Sequence, residues 1–260
     1  MTEAHKSNKR QLTIFLLLLL VVTLVSANFT QFNFLYSIQT LPKAFSWIVS
    51  NLYITEQAWE KFPSILDKLI ETIFLSITST TTAGVVALFL ALLGSEATKV
   101  NSFFAKLSRV IASVYRNIPI VAWALILLLS FGQNALTGYF ALFLATFGFL
   151  VRAFIETIDE TSGGSVEALQ AAGASYFQVV MKAVIPECLP QMMSWVLFMI
   201  ETNIRSSTLV GILTGTGIGF MFDLYYKNMN YEVVTLVTLS IVAVVIFIEL
   251  ISNYVRRVIL

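Results

Sequence analysis

The stretch Glu167-Ala168-Leu169-Gln170-Ala171-Ala172-Gly173, followed twelve residues after the glycine by Ile185-Pro186, is a polar island in a mostly hydrocarbon chain. An acidic residue, small residues and a glycine at this spacing predict a short helix and a turn. Small side chains let a helix seat closely against another protein, and glycine permits a tight reversal. Glu167, with Glu156, Asp159 and Glu160 nearby, can pair with basic groups on such a partner. A second group is Glu201 and Arg205, four residues apart and therefore on one helical face, with Asn203 between them. Two readings stay open for it. One is a structural ion pair that locks a helix to its neighbours. The other places Arg205, together with Asn203, on a pathway where it offers positive charge to an anion. The third group is Gly211, Gly215, Gly217 and Gly219, which cannot support a steady helix. A broken segment that gates or lines a pathway is expected there. Close helix packing, with Gly211 and Gly215 four apart, is the alternative.

Several chemistries lack material. His5 is the only histidine and Cys188 the only cysteine, which removes histidine acid–base catalysis, an internal disulfide and any multi-cysteine metal site. No Gly-x-x-x-x-Gly-Lys-Ser/Thr loop is present, so ATP hydrolysis by that route needs another polypeptide. A hydrolase inside the membrane would need a serine–lysine or a two-aspartate centre, and no apolar run contains one. The chain is not expected to be an enzyme. A net charge of +1 gives no case for nucleic acid.

Charged residues make up 12% of the chain and mean hydropathy is +0.83, against about a quarter charged for soluble domains. That deficit defines an all-α, polytopic membrane protein. Crossing the hydrocarbon takes about 20 apolar residues, and six segments qualify, at about 12–30, 71–93, 111–132, 136–158, 191–213 and 233–254. The first resembles a signal peptide, with Val25-Ser26-Ala27 as a cleavage site, but is expected to remain as an anchor. Arg116-Asn117-Ile118-Pro119 should kink or break the third, because proline removes a donor. Hydroxyls of the second, Ser76 to Thr82, are expected to bond between helices. The aromatic loop from about 31 to 70 is expected to hold an interfacial helix. No repeat or linker divides the chain, which is expected to form one domain over 1–260 with a loop at 160–190.

Lysine and arginine placement orients the spans. With the N-terminus inside, Lys6, Lys9, Arg10, Lys99, Lys106, Arg109, Lys182, Arg256 and Arg257 are cytoplasmic, against Lys43, Lys61, Lys68 and Lys227 outside. Both termini and the Glu167 loop then face the cytoplasm. The arginines Arg256 and Arg257 read as a stop after the last span.

That loop resembles the signature of ABC importer membrane subunits: Glu-Ala-Ala, three residues, Gly, nine residues, Ile-x-Leu-Pro. Glu167, Ala168, Gly173 and Pro186 stand in the signature positions, while Leu169, Ala183 and Ile185 replace its second alanine, isoleucine and leucine. Farther on, Glu201-Thr202-Asn203-Ile204-Arg205-Ser206-Ser207-Thr208 and Gly215-Thr216-Gly217-Ile218-Gly219 look like the phosphonate-type permease pattern, with Ser207 for alanine and Thr216 for glycine. Methionine-type permeases share the glycine-rich ending. The resemblance covers residues from about 160 to the C-terminus; the first hundred agree only in span layout.

It implies the type I importer permease fold, with Glu167, Ala168, Gly173 and Pro186 in a coupling helix that docks on the ATPase. It also implies two ATPase subunits that bind the ATP and Mg, a second permease copy, an extracytoplasmic solute-binding protein, and a place in the bacterial plasma (inner) membrane. Glu201, Asn203, Arg205 and the four glycines would then line or gate the route of a small oxyanion such as phosphonate. Other small solutes, amino acids among them, and an ATP-independent carrier are the rival readings.

Overall fold

The computed structural model describes residues 2–259, with side chains from 9 to 258; His5 and Lys6 fall outside the described side chains. The regular elements of the described residues are all helices. They divide into two compact units, Met1–Leu52 and Tyr53–Leu260.

The first unit holds α1 (Thr2–Phe29) and α2 (Phe34–Asn51). Of α1, the 21 residues Lys9–Phe29 are long and apolar enough to cross a bilayer, since 1.5 Å per residue gives about 30 Å. Leu16 through Leu20 are all exposed, as side chains meant for lipid would be. The chain reverses at Gln31, whose φ is +54°, and the Asn33 side chain caps α2 by accepting from the Tyr36 N–H at 3.0 Å. No α2 residue is buried, and Phe34, Tyr36, Phe45 and Trp47 are exposed. The aromatic loop thus carries a helix, as expected, with none of its residues buried.

The second unit runs from α3 (Glu56–Trp59) and α4 (Phe62–Gly94) through α5 (Ser102–Asn117), α6 (Ile120–Phe131) and α7 (Ala135–Thr161). It continues with α8 (Gly163–Ala171), α9 (Tyr176–Val179), a π turn (Val180–Val184), α10 (Ile185–Thr214), α11 (Gly217–Lys227) and α12 (Tyr231–Ile259). Phe62–Gly94, Ala135–Thr161, Tyr176–Thr214 and Tyr231–Val258 qualify as spans on length and composition. The pair α5 and α6 qualifies only together, bent by 89°. Six spans therefore exist only if the bent pair is counted as one, and the third is not a continuous rod.

The break follows from Pro119. The residue before a proline is pushed out of the helical region, and Ile118 is extended at φ −85°, ψ 120°. The second span starts at Phe62, earlier than expected, because Pro63 at the head of α4 suits a helix start, where no N–H is required. In the opposite sense, Pro186 at the head of α10 cannot donate back to the preceding turn. The chain widens there, and the Ile185 N–H reaches the Val180 carbonyl, five residues back.

Packing rests on small residues. Ala83, Ala87 and Ala91 recur every four residues on α4 and are fully buried, in one cluster with Leu150, Val151 and Phe154 of α7. A Cβ added at Gly148 of α7 would lie 2.5 Å from the Arg116 backbone nitrogen, so that glycine lets the last turn of α5 close onto α7. Most hydroxyls of α4 bond their own helix, as Ser76 does to Thr72 O at 2.8 Å; a hydroxyl in a dry helix has that acceptor always at hand. Thr80 and Thr82 also reach neighbouring helices.

Candidate functional site

Glu167, Ala168, Ala171, Ala172 and Gly173 are exposed, while Val166 on the underside of α8 is 2% exposed and packs into the main core. The helix thus has one anchored face and one face of small residues turned to solvent. Its end is fixed by Gly173 at φ +82°. The Gly173 N–H bonds Gln170 O at 2.9 Å and the Ala174 N–H bonds Leu169 O at 3.0 Å, a Schellman closure that needs a left-handed residue. Ser175 and Gln178 then form a capping box that starts α9. Exposed Tyr176, Phe177 and Met181 flank the turn; apolar rings beside a polar motif were not singled out in the sequence. The Ser165 hydroxyl donates to Glu187 Oε1 at 2.5 Å, tying α8 to the first turn of α10, where Pro186 is exposed.

Glu201 is 8% exposed. Its Oε1 accepts from Arg205 Nη2 at 2.8 Å and its Oε2 from Arg256 Nη2 at 3.3 Å. The intrahelical pair follows from i,i+4 spacing. Arg256, read in the sequence as a stop signal, is also the third member of this group, and its 55-residue separation left no local pattern to find. One carboxylate against two guanidiniums leaves a surplus of one positive charge. The Arg205 side chain, at 52% relative exposure, carries it toward open space. Asn203 is different: it is 2% exposed and donates from Nδ2 to Thr80 Oγ1 at 2.8 Å and Thr146 Oγ1 at 2.7 Å. It ties α10 to α4 and α7 and presents almost nothing to solvent.

The glycine run is broken over a shorter length than expected. Of the four glycines only Gly215 (φ +70°) and Gly217 (φ +57°) leave the helical region, with Thr216 extended between them at φ −129°, ψ 158°. Gly211 stays in α10 and Gly219 in α11, and they serve close packing: a Cβ on Gly219 would fall 2.1 Å from Thr208 O and 2.9 Å from Gly211 Cα. The first N–H groups of α11 are taken up by α4, with Gly217 donating to Glu71 Oε1 at 3.2 Å and Ile218 to Thr72 Oγ1 at 2.8 Å.

The described residues thus combine a bundle of apolar helices long enough to cross a membrane, an exposed small-residue face on α8 and an ion pair held within α10. Residues 83–259 match the family described as binding-protein-dependent transport system inner membrane component, and the chain belongs to it: it is an ABC importer permease. It is similar to the phosphite transport system permease protein PtxC of Stutzerimonas stutzeri, 31% identical over 196 residues that cover 75% of this chain and 71% of that protein. The phosphate-import permease protein PhnE of Mycolicibacterium smegmatis is 26% identical over 191 residues, 74% of this chain but only 36% of that protein. Among solved structures, an inward-facing MetNI methionine ABC transporter shares the fold with a TM-score of 0.70 at 20% identity, covering 80% of this chain and 100% of that one.

Proposed function

We propose that this permease carries a small phosphorus oxyanion, phosphonate or a close relative such as phosphite, into the cell at the expense of ATP hydrolysed by a partner. Two ATPase subunits, holding ATP and Mg, dock on the small-residue face of Glu167, Ala168 and Gly173, and Pro186 sets the start of the helix behind it. A second copy of the chain completes the pathway, a solute-binding protein delivers the anion outside, and both termini lie in the cytoplasm. The observation that carries the coupling reading is the α8 face ended at Gly173 with φ +82°: rigidly backed and open to a partner. The substrate class is supported by the phosphite and phosphate names of the relatives. The exposed guanidinium of Arg205, oriented by Glu201, offers the charge such an anion seeks. Asn203, Gly211, Gly215, Gly217 and Gly219 hold the surrounding helices in register at the gate.

ATP hydrolysis is measured in proteoliposomes holding the permease with its ATPase and binding protein, given methylphosphonate, phosphite or methionine in turn. Stimulation by either phosphorus anion is expected, with none by methionine. The reverse result moves the substrate to the amino acid class. A Gly173→Leu variant forces a left-handed side chain at about 1–2 kcal/mol, and stimulation should fall at least about fivefold with the complex still assembled. Full stimulation in that variant sinks the coupling assignment.

A further inference from the structure

We infer that a pocket between α5 and α7, apart from the Glu201 group, binds the oxyanion of a phosphorus compound. The pocket encloses about 240 Å³ and is lined by Arg109, Ser113, Arg116 and Asn117 of α5 and by Arg152 of α7. At ~30 Å³ per water that is room for about eight waters, or for one tetrahedral anion with its nearest shell. Three guanidiniums line this one space, so the carboxylates beside them decide whether positive charge is left over.

The charges around it do not cancel. Arg109 pairs with Glu96 Oε1 at 3.0 Å and Asp159 Oδ2 at 3.5 Å, and Glu96 is also held by Lys99, so these four sum to zero. Arg152 pairs through Nε with Glu156, which again sums to zero and leaves both of its terminal nitrogens available. The Arg116 side chain is exposed and makes no hydrogen bond or ion pair among the described residues. The pocket is therefore left with one surplus positive charge, the complement of a monoanion.

Its placement is built into the fold. Pro119 lies two residues past Asn117, where α5 ends, and Gly148 lets the Arg116 backbone close onto α7 one helical turn from Arg152. Asn117 is itself held, donating to Ser113 O at 2.7 Å. Arg116 and Arg152 both lie within segments that qualify as membrane spans. A guanidinium at membrane depth is costly unless it meets water, a counter-charge or a headgroup. Arginine is the side chain whose planar fork matches phosphate oxygens in pairs. A dissolved anion, the transported one included, and the phosphodiester of an anionic phospholipid present that same chemistry. The pocket is argued from its own residues, and its binding is read without ATPase or binding protein. Failure here is thereby distinguishable from failure of the transport reading.

The test uses the purified full-length permease in phospholipid-free detergent. Binding of inorganic phosphate and methylphosphonate is followed by calorimetry, and retention of added phosphatidylglycerol by native mass spectrometry. Arg116→Ala is expected to weaken at least one of these by about tenfold, the loss expected for one charge-assisted bond. Ser113→Glu, which puts a negative charge into the pocket without removing an arginine, is expected to do the same and serves if Arg116→Ala is not monodisperse. Loss of the dissolved anions identifies a soluble ligand; loss of phosphatidylglycerol alone identifies a headgroup. No binding by the wild type, or equal binding by wild type and variants, overturns the proposal. So does a variant that releases the ATPase while all three probes bind as before, because the pocket would then be a protein-docking face.

Discussion

The two helix breaks in this bundle are made by opposite means. At Gly215–Thr216 the chain turns through two left-handed glycines, and the N–H groups freed at the head of α11 go to Glu71 and Thr72 of α4. The backbones of α10 and α11 then close on each other through Gly211 and Gly219. At Pro119 the helix stops because a ring prevents its continuation. The head of α6 has no side-chain cap, and Arg116 is left beside an open pocket. A glycine break can be healed by the fold that surrounds it, since removing side chains brings backbone within reach of partners. A proline break removes a donor and adds bulk, so the groups around it remain available to a ligand. The first break is an anchor, and the second is a place where something binds.

The largest test of that contrast is Gly219→Val. Even the first added carbon would sit 2.1 Å from Thr208 O, and overpacking of this kind costs about 1–3 kcal/mol or more. Little folded permease should survive extraction at 37 °C, as seen by size-exclusion of a fluorescent fusion; a normal yield would mean that α10 and α11 can separate freely. Thr72→Val comes next. It removes the acceptor for the Ile218 N–H at about 1 kcal/mol, a melting shift of roughly 2–4 °C. An unchanged melting point would show the glycine break to be held by packing alone. The smallest effect lies at the edge of the open break. Lys99, through its hydrogen bond, and then Arg109 hold the Glu96 carboxyl below its ordinary 4.5. A depressed value stabilises the fold above pH 4.5, and the contribution is lost as pH falls through the lower folded value. Wild type should therefore lose slightly more stability than Glu96→Gln on acidification below about 4.5; parallel curves would show that Glu96 is held by neither Lys99 nor Arg109.

How much of this could be read beforehand depended on how local the cause was. Pro119 acts on its immediate neighbour, and the break was legible in Arg116-Asn117-Ile118-Pro119. Glu201 and Arg205 are one turn apart, and their pairing was legible too. The start of α4 was not, because Asp67, Lys68 and Glu71 charge its first turns and hide a span that Pro63 marks. Arg256 reaches Glu201 only because α12 packs beside α10. The four glycines look alike in the sequence, yet two bend the chain and two admit a neighbour. That division depends on which helix lies opposite each one.

The wide turn at Val180–Val184 has a consequence for the helix that follows it. Each residue of an α-helix advances the azimuth by about 100°, so a bulge that absorbs one residue resets the phase of everything downstream. Asn203 points at Thr80 and Thr146, and Glu201 at Arg256, only for the present number of residues between Gly173 and the span. A single insertion or deletion there would swing both side chains by about 100° toward a different neighbour, whereas substitutions that keep the count would not. The segment joining the exposed α8 turn to the charged helix is thus constrained in length far more tightly than in composition.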